Sequence, residues 1–382
     1  MVKLNDDVEQ IVQNIQAPNI AVIGRTGVGK STLINTVFGI ASADVGAGSS
    51  ITMGFGRYPK DEEQKTPIVL YDSSGYEAGK EESFVSNVCN FLEQQKEKGI
   101  EQQIHLIWYV VNAASARFEL FDQQLIHGFH KLQVPVIIIL SQCDRAAAYE
   151  VSSVKQEIKK LDSDSTYDII ETSANPLEVH GKPICEPYGL RALVRRTANL
   201  LPEIYSEAIL VMQRADIKAK RRQAWAYIIA ASTTCFSASI IPVPGSTPTA
   251  IVTLNATLCV QLAVLYGYGE FASFLGSISS LTISTLSALL LTTALDLISK
   301  LFTLNSASVI PAATAGVYII VLGLAYSSVF ERLVEEHITQ TGKENVKKSL
   351  EKIFKEEFEK YLSLSKTTDM EGMKILFLRE ET

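Results

Sequence analysis

The run Gly24-Arg25-Thr26-Gly27-Val28-Gly29-Lys30-Ser31 spells GxxxxGK[ST]. An apolar stretch, Asn19–Ile23, leads into it, and a helical pattern from Lys30 to Phe38 follows. That strand-to-helix setting is the one in which the motif binds phosphate. Gly27 and Gly29 let the backbone bend around an anion, which then meets the N–H groups from Gly24 through Thr32 and the helix N-terminus. Lys30 reaches the β- and γ-phosphates, and the Ser31 hydroxyl is a ligand for Mg²⁺. A glycine-rich turn carrying Lys-Ser by chance is the competing reading, and the flanking strand and helix argue against it.

Phosphate binding alone does not choose a base. Three later segments bear on that choice. Asp72-Ser-Ser-Gly75 follows the apolar run Ile68–Tyr71; an Asp there holds Mg²⁺ through water, and the Gly75 amide meets the γ-phosphate. Ser141-Gln142-Cys-Asp144 follows Val134–Leu140. A carboxylate at that strand end accepts from both N1–H and the 2-amino group of guanine, a donor pair that adenine lacks. Glu171-Thr-Ser173-Ala174 follows Asp168–Ile170, where a backbone amide meets the guanine 6-oxo group. Each segment is weak by itself. Their order after successive strands is informative.

Positioning these segments requires strands that alternate with helices. The apolar runs at Asn19–Ile23, Ile68–Tyr71, Ile104–Val111, Val134–Leu140 and Asp168–Glu171 read as strands. Amphipathic stretches at Lys30–Phe38, Glu81–Glu97, Phe118–Leu132, Val151–Leu161 and Leu190–Met212 read as the helices between them. Continuous apolar strands joined this way predict a mostly parallel sheet with helices on both faces, an α/β fold. Asn5–Gln16 adds an N-terminal helix by its spacing of Val8, Ile11, Val12 and Ile15. The expected division is 1–18 for that helix, packed on a helical domain, 19–212 for the α/β domain, 213–365 for an all-α helical domain and 366–382 for a tail.

From Ala224 to Phe330 only Glu270, Asp296 and Lys300 are charged. Four apolar blocks fill this stretch: Trp225–Ile241, Ala250–Tyr266, Leu281–Leu304 and Ile310–Phe330. They approach the roughly 20 residues that span a bilayer. The cluster Lys218, Lys220, Arg221 and Arg222 suits a positive-inside flank, with Trp225 at the interface. Frequent Ser and Thr, with Asn255 and Gln261, suit a compact buried bundle instead. Membrane association, peripheral or integral, is the expectation carried forward, in a cytoplasmic protein. The net charge of −7 argues against nucleic acid as a partner. The five scattered cysteines show no ligand spacing, and His127 and His130 lack companions for a metal site.

On these motifs, residues from about 19 to 212 resemble a GTPase domain of the translation-factor-related class, Era-like and immunity-related-GTPase-like. GRTGVGKST matches its first motif, DSSG the third, SQCD a degenerate form of the fourth and TSA the fifth. The resemblance implies GTP and GDP with Mg²⁺, and hydrolysis of GTP. It makes Ser31, Asp72 and a switch threonine the metal-shell residues, Thr52 being best placed. Lys30, Thr52, Gly75 and Arg25 would act on the γ-phosphate, and Gln142, Asp144, Ser173 and Ala174 would face the base. Gln142 replaces the usual lysine of the fourth motif and Ser141 its Asn or Thr. Gly27 stands where potassium-using Era-type proteins carry Asn, a pattern similar to septins and immunity-related GTPases, which act when two nucleotide faces meet. A homodimer across that face, and slow turnover without it, are implied; Arg25 and Arg117 are candidates to supply charge there, against the reading of each as a solvated surface arginine. Pro242–Gly245 and Leu265–Gly267 resemble the helical domain that follows Era-like GTPase domains. Nucleotide-controlled self-association and membrane engagement are therefore expected, against a soluble nucleotide-gated binding module or assembly factor with little hydrolysis.

Overall fold

β1 (Asn19–Gly24) is buried at every residue and lies between two parallel neighbours, β3 (Val69–Ser73) and β4 (Leu106–Asn112). A strand so enclosed must be apolar on both faces, which is why Ile20 through Ile23 run without alternation. The structure, a computed structural model, describes residues 2–40, 54–61, 64–75, 81–115, 118–160, 167–240, 246–279, 309–335 and 343–379. It divides into Gln13–Asp216 and a second unit of Ile217–Thr382 with Met1–Val12.

In the first unit the sheet order is β2-β3-β1-β4-β5-β6, completed by β2 (Phe55–Tyr58), β5 (Val136–Ser141) and β6 (Asp168–Glu171). Only β2 is antiparallel. Successive side chains point to opposite faces. Ala21 and Ile23 join Phe91 of α3 (Glu81–Glu97), Phe129 of α4 (Leu120–Lys131) and Val154 of α5 (Ala148–Lys159). Ile20 and Val22 join Leu33 of α2 (Lys30–Phe38), Leu193 of α6 (Leu190–Leu200) and Ile209 of α7 (Ser206–Met212). The register pairs Val22 with Asp72, Gly24 with Val110, Asn112 with Ser141 and Leu140 with Glu171. All the segments singled out above therefore leave the sheet at its C-terminal edge, where α/β sheets bind ligands. A Cβ on Gly24 would lie 2.4 Å from the Val110 carbonyl oxygen, so β1 and β4 can meet there only through glycine.

Several local features differ from expectation. Strand β2 was not among the strands read from the sequence, and Met370–Leu378, inside the expected tail 366–382, is helical. The helix read from Leu190 to Met212 is interrupted: Leu201 is extended (φ −80°, ψ 148°) ahead of Pro202, whose ring disfavours a helical residue before it. A two-stranded hairpin, β7 (Glu178–Val179) and β8 (Lys182–Pro183), adds strands too short to show a period.

The second unit contains α8 (Ile217–Ile240), α9 (Ser246–Tyr266), α10 (272–279), α11 (Val309–Glu335), α12 (Lys343–Leu364) and α13 (Met370–Leu378). Val8 of α1 (Val2–Asn14) approaches Gly269 so closely that a Cβ there would be 2.7 Å from it. α11 is enclosed by its neighbours. A Cβ on Gly323 would lie 2.5 Å from Ile228 of α8, so this glycine sets how near the two helices come. Buried polar groups are paired across helices: Tyr266 with Ser327 at 2.7 Å, Tyr326 with Asn255 at 2.8 Å, and Asn255 with Ser279 at 2.9 Å.

The basic cluster ahead of the apolar half is not a simple flank. Lys220 is 0% and Arg221 5% exposed, both within the early turns of α8. The Lys220 ammonium donates to the Leu265 carbonyl at 2.6 Å. Arg221 donates to both carboxylate oxygens of Glu331, once at 2.8 Å. Trp225, expected at an interface, lies beside Phe377 with ring centroids 6.2 Å apart. Among the described residues one helix, Ala313–Glu335, is long and apolar enough to cross a membrane, and 83% of its most apolar window is buried inside the protein. Burial within the unit thus accounts for its hydropathy, while the block at 281–304 falls outside the described residues.

The Arg221–Glu331 pair yields a stability prediction. Glu331→Ala leaves the Arg221 guanidinium buried without its carboxylate and lowers the unfolding free energy by about 3–5 kcal/mol. Replacing both, Arg221→Met with Glu331→Leu, costs much less. Urea unfolding of the three proteins measures the difference.

Candidate functional site

The phosphate-binding loop leaves β1 through Gly24 and turns on two left-handed residues, Gly27 (φ 79°) and Gly29 (φ 96°), before α2 begins at Lys30. Lys30 is 7% exposed, and its ammonium donates to the carbonyls of Gly24 (3.1 Å) and Arg25 (3.0 Å). That pose lays the side chain along the loop. Burial lowers the Lys30 pKa, and nearby Asp72 works against that shift. Thr32 is exposed in the first turn of α2, where its carbonyl accepts the Thr36 hydroxyl at 2.9 Å.

Ser31 donates its hydroxyl to Asp72 Oδ2 at 3.1 Å. The other carboxylate oxygen, Asp72 Oδ1, is buried and has no hydrogen-bond partner. Burial raises the Asp72 pKa, while Lys30 and the Ser31 hydrogen bond pull it down. A hydroxyl and a carboxylate with a spare buried oxygen form a hard oxygen donor set that fits Mg²⁺. Thr52, the expected third member, lies outside the described residues, as does Arg117. Gly75 is left-handed (φ 73°) and sits on the loop itself. A Cβ there would come within 2.6 Å of the Thr26 hydroxyl and 2.7 Å of its amide nitrogen.

Arg25 is engaged within its own chain. Its guanidinium pairs with Glu119 at 2.7 Å, comes within 3.7 Å of Asp122, and covers the Phe121 ring at 4.7 Å from the centroid. Asp122 in turn accepts from the Tyr109 hydroxyl and, at 2.7 Å, from the Glu119 amide, closing a capping box at the start of α4. Burial pushes the Asp122 carboxyl up to about 6, against the Tyr109 and Glu119 hydrogen bonds and the Arg25 charge. Glu119 and Asp122 were not singled out above. Their sequence signal is an acidic pair three apart, just ahead of the apolar face of α4.

At the base end, the two replaced residues of the fourth motif both reach the phosphate loop. The Ser141 hydroxyl donates to the Val28 carbonyl at 2.7 Å, with the Val111 carbonyl 3.2 Å away. Gln142 is left-handed (φ 54°); its amide donates to the Gly27 carbonyl at 3.3 Å and accepts from Asn112 at 3.5 Å. Asp144 accepts the Leu177 N–H on Oδ2 at 2.8 Å, while its Oδ1 is buried without a partner. Burial works to raise the Asp144 pKa; the Leu177 hydrogen bond, the neighbouring Ser173 hydroxyl and Arg145 outweigh it and hold the carboxyl below its ordinary value. The Cys143 amide donates to the Thr172 carbonyl at 3.2 Å, docking the fourth motif on the fifth. The Ser173 amide is used by the Tyr188 carbonyl at 3.1 Å, so Ala174 is the next amide available to a base. Among the described residues there is no group of three or more His, Cys, Asp or Glu side chains placed to hold a metal.

A family model described as "50S ribosome-binding GTPase" matches residues 19–142. The GTP-binding protein EngB of Oenococcus oeni is 31% identical over 152 residues, covering 37% of this chain and 69% of that protein. EngB of Aquifex aeolicus is 24% identical over 152 residues, covering 38% of this chain and 78% of that protein. Among solved structures, Era in complex with MgGDPNP and nucleotides 1506–1542 of 16S ribosomal RNA is similar at 23% identity and a TM-score of 0.33. That match covers 49% of this chain and 58% of the Era chain. It also corrects an expectation: the exclusion of nucleic acid drawn from the net charge does not stand, because this Era structure holds RNA. Total charge says little about one local surface. The phosphate loop, Asp72 and the Ser141–Gln142 pair all fall within residues 19–142, and the chain belongs to the P-loop GTPase family that this model describes.

Proposed function

We propose that this chain is a Mg²⁺-dependent enzyme that binds GTP along the C-terminal edge of the sheet and hydrolyses it to GDP and phosphate. One observation carries the reading: two carboxylate oxygens, Asp72 Oδ1 and Asp144 Oδ1, are buried without partners. Each such oxygen costs about 1–3 kcal/mol, and more when charged. A guanine nucleotide with its metal ion satisfies both, one at the phosphate end and one at the base.

In hydrolysis, water attacks the γ-phosphorus in line and the bond to the β–γ bridging oxygen breaks, leaving its electron pair on GDP. The loop amides from Gly24 to Thr32 and the Lys30 ammonium meet the charge on the phosphates. Ser31 directly and Asp72 through water would hold the ion, with Thr52 as the proposed further ligand, and the ion would supply charge neutralisation at the β- and γ-oxygens. Gly75, seated on Thr26, brings its amide to the γ-phosphate. Tyr76 follows Gly75 where Ras-like proteins place a water-orienting glutamine. That replacement supports slow turnover by a single molecule and acceleration through self-association. Arg25 can act across such a contact only by leaving Glu119. Membrane engagement by the helical half rests on its apolar composition, and the burial of α11 favours shallow contact.

The second reading, a nucleotide-gated binding module with little hydrolysis, is favoured by the absence of that glutamine. Single-turnover hydrolysis separates the two, and a protein that binds GTP but releases no phosphate has the second function. If ATP outcompetes GTP, the role given to Asp144 is wrong.

Three outcomes follow from this site. EDTA weakens GTP binding and abolishes phosphate release, and Mg²⁺ restores both. Asp144→Asn moves preference from guanine to xanthine nucleotides, because the 2-amino group loses its acceptor and a 2-oxo group gains a donor; competition binding with GTP and XTP reads the change. Turnover per molecule rises with protein concentration and with liposomes. A rate that stays flat across both series removes self-association and membrane engagement from the proposal.

A further inference from the structure

The carboxylate that selects the base is held by a main-chain group from another loop. Asp144 Oδ2 accepts the Leu177 N–H at 2.8 Å, and Oδ1 is buried without a partner. Leu177 is fixed on its other side as well, since its carbonyl accepts the Ile184 N–H at 2.9 Å. That bond closes the base of the β7–β8 hairpin, which turns through His180 (φ 53°) and Gly181 (φ 75°). Two left-handed residues in succession suit a tight hairpin turn. The Arg145 guanidinium, which donates to the Asn175 carbonyl at 3.5 Å, ties the same loop to the residue after Asp144. The hairpin therefore aims one donor at one oxygen of the carboxylate.

We propose that the Leu177 amide is a positioning group for nucleotide selection, fixing which oxygen of Asp144 meets the base; this rests on the reading of the site as a guanine site. A carboxylate oxygen accepts more than one hydrogen bond. Oδ2 keeps Leu177 and still accepts from one guanine donor, while Oδ1 takes the other. A carboxylate turned out of that plane meets only one donor. Adenine brings no donor pair, and the phosphates are held elsewhere, so the effect of the Leu177 amide is confined to guanine.

The arrangement also governs what Asp144→Asn does. An Asn at this position must offer its amide oxygen to the Leu177 N–H, which puts the NH₂ group in the place of Oδ1. That group opposes the guanine 2-amino group and matches the xanthine 2-oxo group. The preference for xanthine then depends on Leu177 as much as on the Asn.

The test measures dissociation constants for GTP, ATP and XTP with the full chain. Leu177→Pro removes the N–H, and Leu177→Ala is the conservative comparison that keeps it. The expected result is a fall of about tenfold in the GTP-to-ATP affinity ratio with Leu177→Pro, the size of one hydrogen bond to a charged group, with ATP affinity unchanged and with Leu177→Ala keeping the ratio. In the Asp144→Asn background, Leu177→Pro lowers the XTP-to-GTP ratio by a similar factor. A second measurement avoids proline: hydrogen exchange at the Leu177 amide speeds up at least tenfold in Asp144→Ala, while the Ile184 amide does not change. A wild-type GTP preference that survives Leu177→Pro, a uniform loss for all nucleotides, or unchanged exchange at Leu177 overturns this assignment and leaves the guanine site standing. A wild type with no preference for GTP over ATP overturns the guanine reading and this assignment together.

Discussion

Lys30, an ammonium that is 7% exposed, and Asp72, a carboxylate with one oxygen buried and unpartnered, share the end of a parallel sheet. Burial opposes charge on both, and each is the other's main electrostatic relief. The pair still leaves Asp72 Oδ1 without a partner, an acceptor of the hard oxygen type that a divalent cation takes. The rest of the first unit delivers these two groups to one place. β1 and β3 must run parallel and in register for Asp72 to stand level with Val22, one strand end from the phosphate loop. β4 must come close enough at Val110 that position 24 cannot carry a side chain. The third motif must rest on Thr26, which only a glycine at position 75 allows.

The same loop is braced from two directions. Ser141 and Gln142 hold the carbonyls of Val28 and Gly27 from the end of β5, and Arg25 ties the loop to the capping box of α4. Ser141 and Gln142 thereby bridge the fourth motif to the phosphate loop. What Gln142 gives up is a long apolar stem and a positive charge. On the proposed reading, base recognition then leans harder on Asp144 and on the Leu177 amide that orients it.

Much of this was legible in the sequence for physical reasons. Buried parallel strands announce themselves as apolar runs, and a phosphate loop needs glycines at fixed offsets whatever surrounds it. Contacts that depend on partners far along the chain were not legible. Lys220 and Arg221 look like a basic flank because sequence shows their charge and not the Leu265 carbonyl or Glu331 that receive it. Arg25 looks like a group for another molecule because Glu119 is 94 residues away. The Leu177 amide left no trace at all, since every residue but proline has an N–H and its identity carries no signal. The break at Leu201 was different: Pro202 was in view, and the rule that a residue before proline avoids helix was enough to place it.

The two units obey one rule about buried charge and differ in how they meet it. In the helical unit Arg221 spends two donors on Glu331 and Lys220 is capped by a carbonyl, so the charges close on themselves among apolar helices. Those groups explain how an apolar unit holds its register, and they ask for nothing from outside. At the sheet edge Asp72 accepts from Ser31, and Asp144 accepts from Leu177 with the Arg145 guanidinium 3.7 Å from the same oxygen, while each keeps one buried oxygen without a hydrogen-bond partner. Fold stability alone gives no reason to keep two such oxygens, because an apolar or fully paired side chain in either place would be cheaper. Burial of charge is thus uninformative by itself in this protein. Among the described residues, the two buried carboxylate oxygens left without a partner both lie where the motifs place a nucleotide.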